Sequence, residues 1–128
     1  MVIDTSALVA IFLGEQERDR FVEMILQSGQ SYLSAVSLVE AANVLESRCG
    51  RATVVELDLF LLETKMEVVA VDSDQAAHAR TGFRKYGKGR HTAALNFGDC
   101  FTYALAVASG EAVLAKGEEF RRAGLTTL

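Results

Sequence analysis

Proline is absent from the 128-residue chain, and cysteine and histidine each occur only twice. Without proline, helices and strands must end at glycines and at polar caps. The two cysteines, Cys49 and Cys100, form neither a C-x-x-C pair nor a zinc-ligand spacing. Their arrangement excludes a disulfide framework and indicates a reduced intracellular setting.

The chain also lacks an apolar run of the roughly 18 residues that a membrane helix needs. No positively charged leader precedes the apolar stretch that begins at Val2. We therefore expect a cytoplasmic protein without membrane contact. With 50% apolar and 23% charged residues, the composition excludes disorder, and the length suits one domain over residues 1–128.

Acidic residues are missing from one segment, although the net charge of the chain is −4. None occurs between Asp74 and Asp99. The basic residues and histidines found there are His78, Arg80, Arg84, Lys85, Lys88, Arg90 and His91. This asymmetry favours a patch that binds the phosphates of RNA, with Tyr86 as a ring for stacking a base. The alternative is a solvated helix face followed by a flexible loop.

Short β-rich runs alternate with stretches of helical period. The runs at 1–4, 31–35, 67–71 and 112–115 predict strands. Apolar residues repeat at helical spacing at Phe21 and Ile25, at Leu38, Ala42, Leu45 and Cys49, and at Val55, Leu59, Leu62 and Met66. Further helices are predicted from about residue 73 and over 100–109, with Gly50 and Gly110 at helix ends. The pattern predicts an α/β fold, a three-layer α/β/α sandwich around a mainly parallel sheet of four or five strands.

Acidic side chains stand at the ends of these elements, at Asp4, Glu40, Asp99 and the Glu118-Glu119 pair. Each acid also has a structural interpretation. Asp4 suits the N-cap of a helix beginning near Ser6, Ser37 and Glu40 match a capping box, Asp99 suits a first helical turn, and the glutamate pair suits a solvated loop. In a parallel sheet, however, such ends meet at one edge. Clustered carboxylates there would favour Mg²⁺ or Mn²⁺.

Three segments resemble the PIN-domain ribonucleases, and more narrowly the VapC toxins of bacterial type II toxin–antitoxin modules. They are Asp4-Thr5-Ser6-Ala7-Leu8, Glu40 at the front of a helix, and the block from Leu95 to Tyr103 that contains Asp99. The resemblance implies that Asp4, Glu40 and Asp99 are catalytic acids and metal ligands. It places a fourth acid at Glu118 or Glu119, with Glu118 preferred, and gives Ser6 a supporting role.

The same resemblance implies an Mg²⁺-dependent endoribonuclease that hydrolyses RNA phosphodiester bonds, with Mn²⁺ as a substitute and one or two ions. Arg84, Lys85, Lys88, Arg90 and His91 are then candidates for contacting RNA. The implied partners are a small VapB-like antitoxin and a second copy of the chain. Residues 54–66, with Val54, Leu57, Phe60 and Leu61, are either an antitoxin contact or part of the core.

Two other classes of protein remain open at this point. A phosphorelay receiver domain has a similar length and a lysine after a late strand, as Lys116 is here. It also needs adjacent acids after its first strand, whereas Asp4 is followed by Thr5, and a phospho-accepting Asp near mid-chain, where Asp58 lies in an apolar helical pattern. The second alternative is a non-catalytic binding module whose acids are only helix caps.

Overall fold

The computed structural model describes residues 1–128 and contains a four-stranded sheet in which every pairing is parallel. The strands are β1 (Val2–Ile3), β2 (Tyr32–Ser34), β3 (Glu67–Val69) and β4 (Val113–Leu114), in the spatial order β3-β2-β1-β4. Val2 pairs with both Tyr32 and Val113. A single bridge from Val113 to Thr127 adds the C-terminal segment beside β4. The predicted parallel sheet is confirmed, with strands shorter than the β-rich runs suggested.

Seven helices connect and cover these strands. They are α1 (Thr5–Phe12), α2 (Arg18–Gln27), α3 (Ala35–Cys49), α4 (Arg51–Glu63), α5 (Ser73–Tyr86), α6 (Asp99–Ser109) and α7 (Glu119–Arg122). Gly50 separates α3 from α4 at φ 91°, and Gly110 ends α6 at φ 71°. Both backbone conformations suit glycine, and both predicted helix ends are confirmed.

Neighbouring residues of β1, β2 and β4 belong to two different hydrophobic cores. Ile3, Leu33 and Leu114 join the core formed with α1 to α4. Val2 and Val113 point the other way, into the core formed with α5, α6 and Phe120. Because successive side chains of a strand face opposite sides, this alternation shows that helices cover both faces of the sheet. The α/β/α layering predicted from the sequence is confirmed.

Helix α4 confirms the helix predicted from the spacing of Val55, Leu59 and Leu62. Leu57 and Leu61 face the core and are buried, whereas Val55, Leu59 and Leu62 are 57%, 52% and 75% exposed. Apolar residues lie on more than one side of α4, so spacing predicts the helix without identifying its buried face.

The start of α3 also differs from the capping box predicted for Ser37 and Glu40. The N-cap is Ser34, whose hydroxyl accepts a hydrogen bond from the Val36 N–H at 3.3 Å. Ser37 lies inside the helix and is buried. The capping-box interpretation is wrong, and the Glu40 carboxylate is left without a backbone role.

The carboxyl ends of the strands lie at one edge of the sheet. Asp4 follows β1, α3 with Glu40 follows β2, and Lys116 to Glu119 follow β4. This is the edge at which parallel α/β sheets carry their ligand sites. None of the helices has both the length and the apolar character required to cross a membrane.

Candidate active site

Asp4 lies at the centre of this edge, only 3% exposed, with each carboxylate oxygen held by one donor. The Ser6 N–H donates to Oδ2 at 2.9 Å, so Asp4 is the N-cap of α1, as predicted. The Thr102 hydroxyl on α6 donates to Oδ1 at 2.6 Å. These bonds orient the carboxylate and leave lone pairs on both oxygens for another ligand.

Thr102 belongs to a buried chain of hydroxyl groups. Its only proton goes to Asp4, so the Ser37 hydroxyl, 3.3 Å away, must donate to Thr102. The Thr5 hydroxyl in turn donates to the backbone carbonyl of Ser37 at 3.3 Å. The chain of contacts joins α1, α3 and α6 beneath Asp4. It therefore fixes the position of this carboxylate relative to the two helices that carry Glu40 and Asp99.

Asp99 is the first residue of α6 and forms a reciprocal pair with Asn96. The Asn96 N–H donates to Asp99 Oδ2 at 2.9 Å, and the Asp99 N–H donates to Asn96 Oδ1 at 2.8 Å. The pKa of Asp99 is raised from its ordinary 3.8 to about 7, mainly because the carboxylate is buried. The charges of Asp4, Glu119 and Glu40 contribute to the increase, and the hydrogen bond from Asn96 opposes it. Three other carboxylates, from Asp4, Glu40 and Glu119, therefore lie within electrostatic range of Asp99.

Two glycines make room for two of these acids. A methyl group on Gly98 would overlap the carboxylate of Glu40, and one on Gly117 would overlap that of Glu119. Glu40 and Glu119 are both half-buried. Each glutamate thus occupies space beside the site that only glycine leaves free.

Glu118, the preferred fourth acid from the sequence, points to a different environment. Its carboxylate forms an exposed ion pair with Arg121, one turn further along α7. Asp99 is influenced by the charge of Glu119, and Glu118 is not among its electrostatic neighbours. The geometry therefore does not support the preference for Glu118 and favours the adjacent Glu119.

The donor set matches a hard divalent cation. It consists of four carboxylates, and burial together with the charge of Asp99 raises the pKa of the neighbouring Cys100 thiol to about 11, which keeps that thiol neutral. Nowhere in the chain do three Asp, Glu, His or Cys side chains close tightly enough to hold a metal ion as they stand. Repulsion opposes such closure, and a cation would remove that repulsion.

Ser6 connects the two chain segments that meet beside Asp4. Its hydroxyl accepts a hydrogen bond from the Lys116 N–H at 3.0 Å, just after β4. The contact holds the segment leading to Gly117 and Glu119 against the start of α1. The Lys116 ammonium points to Glu15 and lies 3.8 Å from Glu17, so it is neutralised away from the acids.

The predicted RNA contacts lie at the end of α5 and in the loop after it. Arg84 and Lys85 are in the last turn of α5, and Lys88, Arg90 and His91 are exposed in the loop. Backbone hydrogen bonds from Lys88 to Leu95 and from Leu95 to Tyr86, both 2.9 Å, close this loop. The basic segment is therefore an ordered surface, in contrast to the flexible loop of the alternative interpretation.

Tyr86 is not the free ring that the sequence suggested. It packs against the rings of His91 and Tyr103 on the second core. The exposed aromatic ring at this edge is Phe97, 76% exposed and two residues before Asp99. Sequence reasoning missed both Phe97 and Thr102, although both lie within the block that contains Asp99.

Comparison with known proteins identifies the family of the chain. The family model described as "PIN domain" matches residues 1–125. The chain belongs to the PIN-domain family. A protein named ribonuclease VapC from Mycolicibacterium smegmatis is 50% identical over 121 residues, covering 94% of each chain. The chain therefore groups with the VapC ribonucleases, and PIN-domain ribonucleases of this type generally depend on a divalent metal.

Solved structures share the PIN fold at lower identity. Mycobacterium tuberculosis VapC20, described as a sarcin-ricin loop cleaving toxin, matches with a TM-score of 0.82 and 22% identity, over 99% of this chain and 97% of that one. The Rickettsia felis VapBC2 complex bound to a promoter DNA fragment matches with a TM-score of 0.73 and 16% identity, over 99% and 96%.

The receiver-domain alternative is wrong for this PIN domain. Asp58 lies in the middle of α4 and is exposed, away from any strand end. Lys116 pairs with glutamates outside the acidic site. The acids also do more than cap helices, because Glu40 and Glu119 have no capping bond and still face Asp99.

The bond between Thr102 and Asp4 yields a first prediction. Replacing Thr102 with Val removes the donor but keeps the shape, so Asp4 loses its orientation, and we expect RNA cleavage or metal affinity to fall about 10- to 100-fold. Metal titrations of cleavage should show a higher metal requirement in Thr102→Val, restored by Thr102→Ser. An unchanged metal requirement in Thr102→Val would show that the hydroxyl does not position Asp4.

Proposed function

We propose that this PIN domain is an Mg²⁺-dependent endoribonuclease, the toxin of a type II toxin–antitoxin pair, and that Asp4, Glu40, Asp99 and Glu119 form its catalytic site. The convergence of four carboxylates from four separate segments at the carboxyl edge of the sheet carries this proposal. Acids that served only as helix caps would not need to lie near one another. Mn²⁺ would also suit these ligands.

Each acid has a distinct part in the proposed reaction. Asp4, oriented by Thr102 and Ser6, and Asp99, paired with Asn96, would be the principal ligands. Glu40 and Glu119 would complete the site, directly or through water. A divalent ion held by Asp4 and Asp99 would supply Lewis-acid chemistry there, lowering the pKa of water for attack on a phosphodiester and offsetting negative charge on the phosphate oxygens. This chemistry requires no histidine, and His91 lies in the basic loop.

RNA would reach these acids across the basic surface. Arg84, Lys85, Lys88 and Arg90 are exposed and form no ion pair within the chain. His91 accepts a hydrogen bond from the Ala93 N–H at 3.0 Å through Nδ1, which leaves its Nε2–H free for a phosphate. The net charge of −4 is thus compatible with RNA binding, because the positive charge is concentrated where the substrate would lie.

The proposed partner is a VapB-like antitoxin, as in the VapBC2 complex. Of residues 54–66, Leu57 and Leu61 belong to the core, and Val54 and Phe60 are half-buried. Leu59 and Phe60 line a groove of about 410 Å³ between α4 and the α1–α2 region. We propose this groove, extended by the exposed Leu62, as the antitoxin contact. The implied homodimer stays a prediction.

The acidic site is tested by single charge-removing changes. Asp4→Asn and Asp99→Asn each remove a principal ligand at nearly constant shape, so we expect Mg²⁺- or Mn²⁺-dependent cleavage to fall below detection while circular dichroism stays unchanged. Cleavage of labelled RNA on denaturing gels, with EDTA as the metal-free control, measures this. Full activity of purified Asp99→Asn would remove the proposed mechanism.

The neighbouring glutamates provide a matched pair of variants. Glu119→Gln removes an acid that faces Asp99, and we expect a loss of at least 10-fold in cleavage rate. Glu118→Gln removes only an exposed ion pair, and we expect less than a twofold change. A larger loss in Glu118→Gln than in Glu119→Gln would show that Glu118 is the fourth acid of the site.

The basic loop is tested through salt dependence. Replacing Lys88 and Arg90 together with Ala should weaken RNA binding and make the logarithmic salt dependence shallower, since fewer counterions are released. Fluorescence anisotropy over a range of KCl concentrations measures the slope. The control replaces Arg48 and Arg51, two exposed residues at the junction of α3 and α4, outside the basic loop. This double variant should keep the wild-type slope. An equal slope in both double variants would show that RNA does not cross the loop.

A further inference from the structure

An aromatic groove lies next to the acidic site and has no role in the chemistry described above. Phe97, 76% exposed, lines it together with Phe83 and Phe101, and the groove has a volume of about 550 Å³. The Phe97 and Phe101 rings meet edge to face, with centroids 5.0 Å apart. Exposed rings of this kind usually mark a contact surface.

A basic groove of about 400 Å³ borders the aromatic groove. Arg80, Arg84 and Arg90 line it, and Arg80 and Phe83 are shared by both grooves. The Arg90 guanidinium lies over the Phe83 ring, 5.4 Å from its centroid. None of the three arginines forms an ion pair within the chain. Positive charge available for an anion thus stands directly beside an apolar, ring-lined surface.

Phe97 also borders the acidic site on its other side. With Gly98 it lines a third groove that contains Glu40, and Cys100, next to Asp99, lines the aromatic groove. The surface therefore runs from arginines, across aromatic rings, to carboxylates. A nucleotide chain matches this order, because a phosphate suits the arginines, the adjacent base suits the rings, and the next phosphate would reach the carboxylate site.

We propose that the aromatic groove is a nucleobase subsite, in which an unpaired base of the RNA stacks on Phe97 while an adjacent phosphate binds Arg80, Arg84 and Arg90. The proposal rests on the proposed function and adds to it a requirement on the substrate. A base can enter the groove only when it is unstacked and unpaired, so the RNA must be single-stranded at this position.

The charges favour RNA over an apolar protein segment or a second copy of the chain as the occupant. An apolar partner would cover the rings but would leave three unpaired guanidinium groups at the border. A phosphate neutralises these groups, and a guanidinium fork matches its oxygens. One ligand class thus satisfies both grooves at once.

The test measures binding without cleavage. All variants are made in Asp99→Asn protein, and anisotropy is recorded with three probes: a short fluorescein-labelled single-stranded RNA of mixed sequence, the same strand with abasic sugars, and the same RNA annealed to its complement. We expect Phe97→Leu to weaken binding of the intact strand about 5- to 100-fold. Binding of the abasic strand and of the duplex should be unchanged, and Phe97→Trp should keep the affinity for the intact strand.

The control variant is Leu26→Ala on α2, which changes another large apolar side chain that is 66% exposed. It should bind all three probes as the parent does. The subsite would be overturned if Phe97→Leu bound the intact strand with wild-type affinity, or if this variant lost self-association in light scattering without losing RNA binding.

The proposed function is tested separately by the wild-type protein. If the subsite fails but the wild-type protein cuts RNA with Mg²⁺, the proposed function stands. If the wild-type protein cuts no RNA, the function itself is contradicted.

Discussion

Electrostatic repulsion at the carboxyl edge of the sheet is the constraint on which this structure depends. Asp4, Glu40, Asp99 and Glu119 come from four segments that the parallel sheet brings together, and their charges and burial raise the pKa of Asp99. Such an arrangement destabilises a folded chain unless a cation compensates it. The fold nevertheless holds Asp4 in place through Thr102 and Ser6. Binding of a metal ion among these carboxylates would offset the repulsion that otherwise lowers the stability of the folded chain.

The protein distributes support and chemistry over different residues. Ser37, Thr5 and Thr102 are buried residues whose hydroxyl groups join three helices under the site. Gly98 and Gly117 leave the volume that Glu40 and Glu119 occupy. Glu40 and Glu119 therefore form no capping hydrogen bond, whereas Asp4 also caps α1 and Asp99 pairs with Asn96.

Local patterns were sufficient to predict the layers of the fold. The choice of Asp4, Glu40 and Asp99 as site acids came from the family resemblance and stays a prediction. The β-rich runs and the glycines at positions 50 and 110 follow from backbone preferences that act within a few residues, and Asp4 and Asp99 stand next to such signals. The fourth acid required spatial information. Glu118 and Glu119 are adjacent and chemically identical. Only the folded structure shows that Glu118 pairs with Arg121, whereas the Glu119 carboxylate lies beside Gly117 and acts on Asp99.

Other features that the sequence did not reveal have the same origin. Helix α4 has apolar residues on more than one side, so its period predicts a helix without identifying the face that Leu57 and Leu61 bury. Tyr86 and Phe97 are both aromatic residues near the basic segment, and the packing of Tyr86 on Tyr103 is a contact between α5 and α6 that spacing does not reveal. Thr102 was overlooked because its partner, Asp4, is far away in the chain.

The most direct test of the metal centre is a crystal of the wild-type protein grown with Mn²⁺ and measured at the manganese absorption edge. The account predicts an anomalous peak at the carboxyl edge of the sheet, with carboxylate oxygens of Asp4 and Asp99 as direct ligands at ~2.0–2.3 Å and Glu40 and Glu119 binding directly or through water. A saturated crystal with no peak among these four residues, or with its only peak elsewhere, would contradict it.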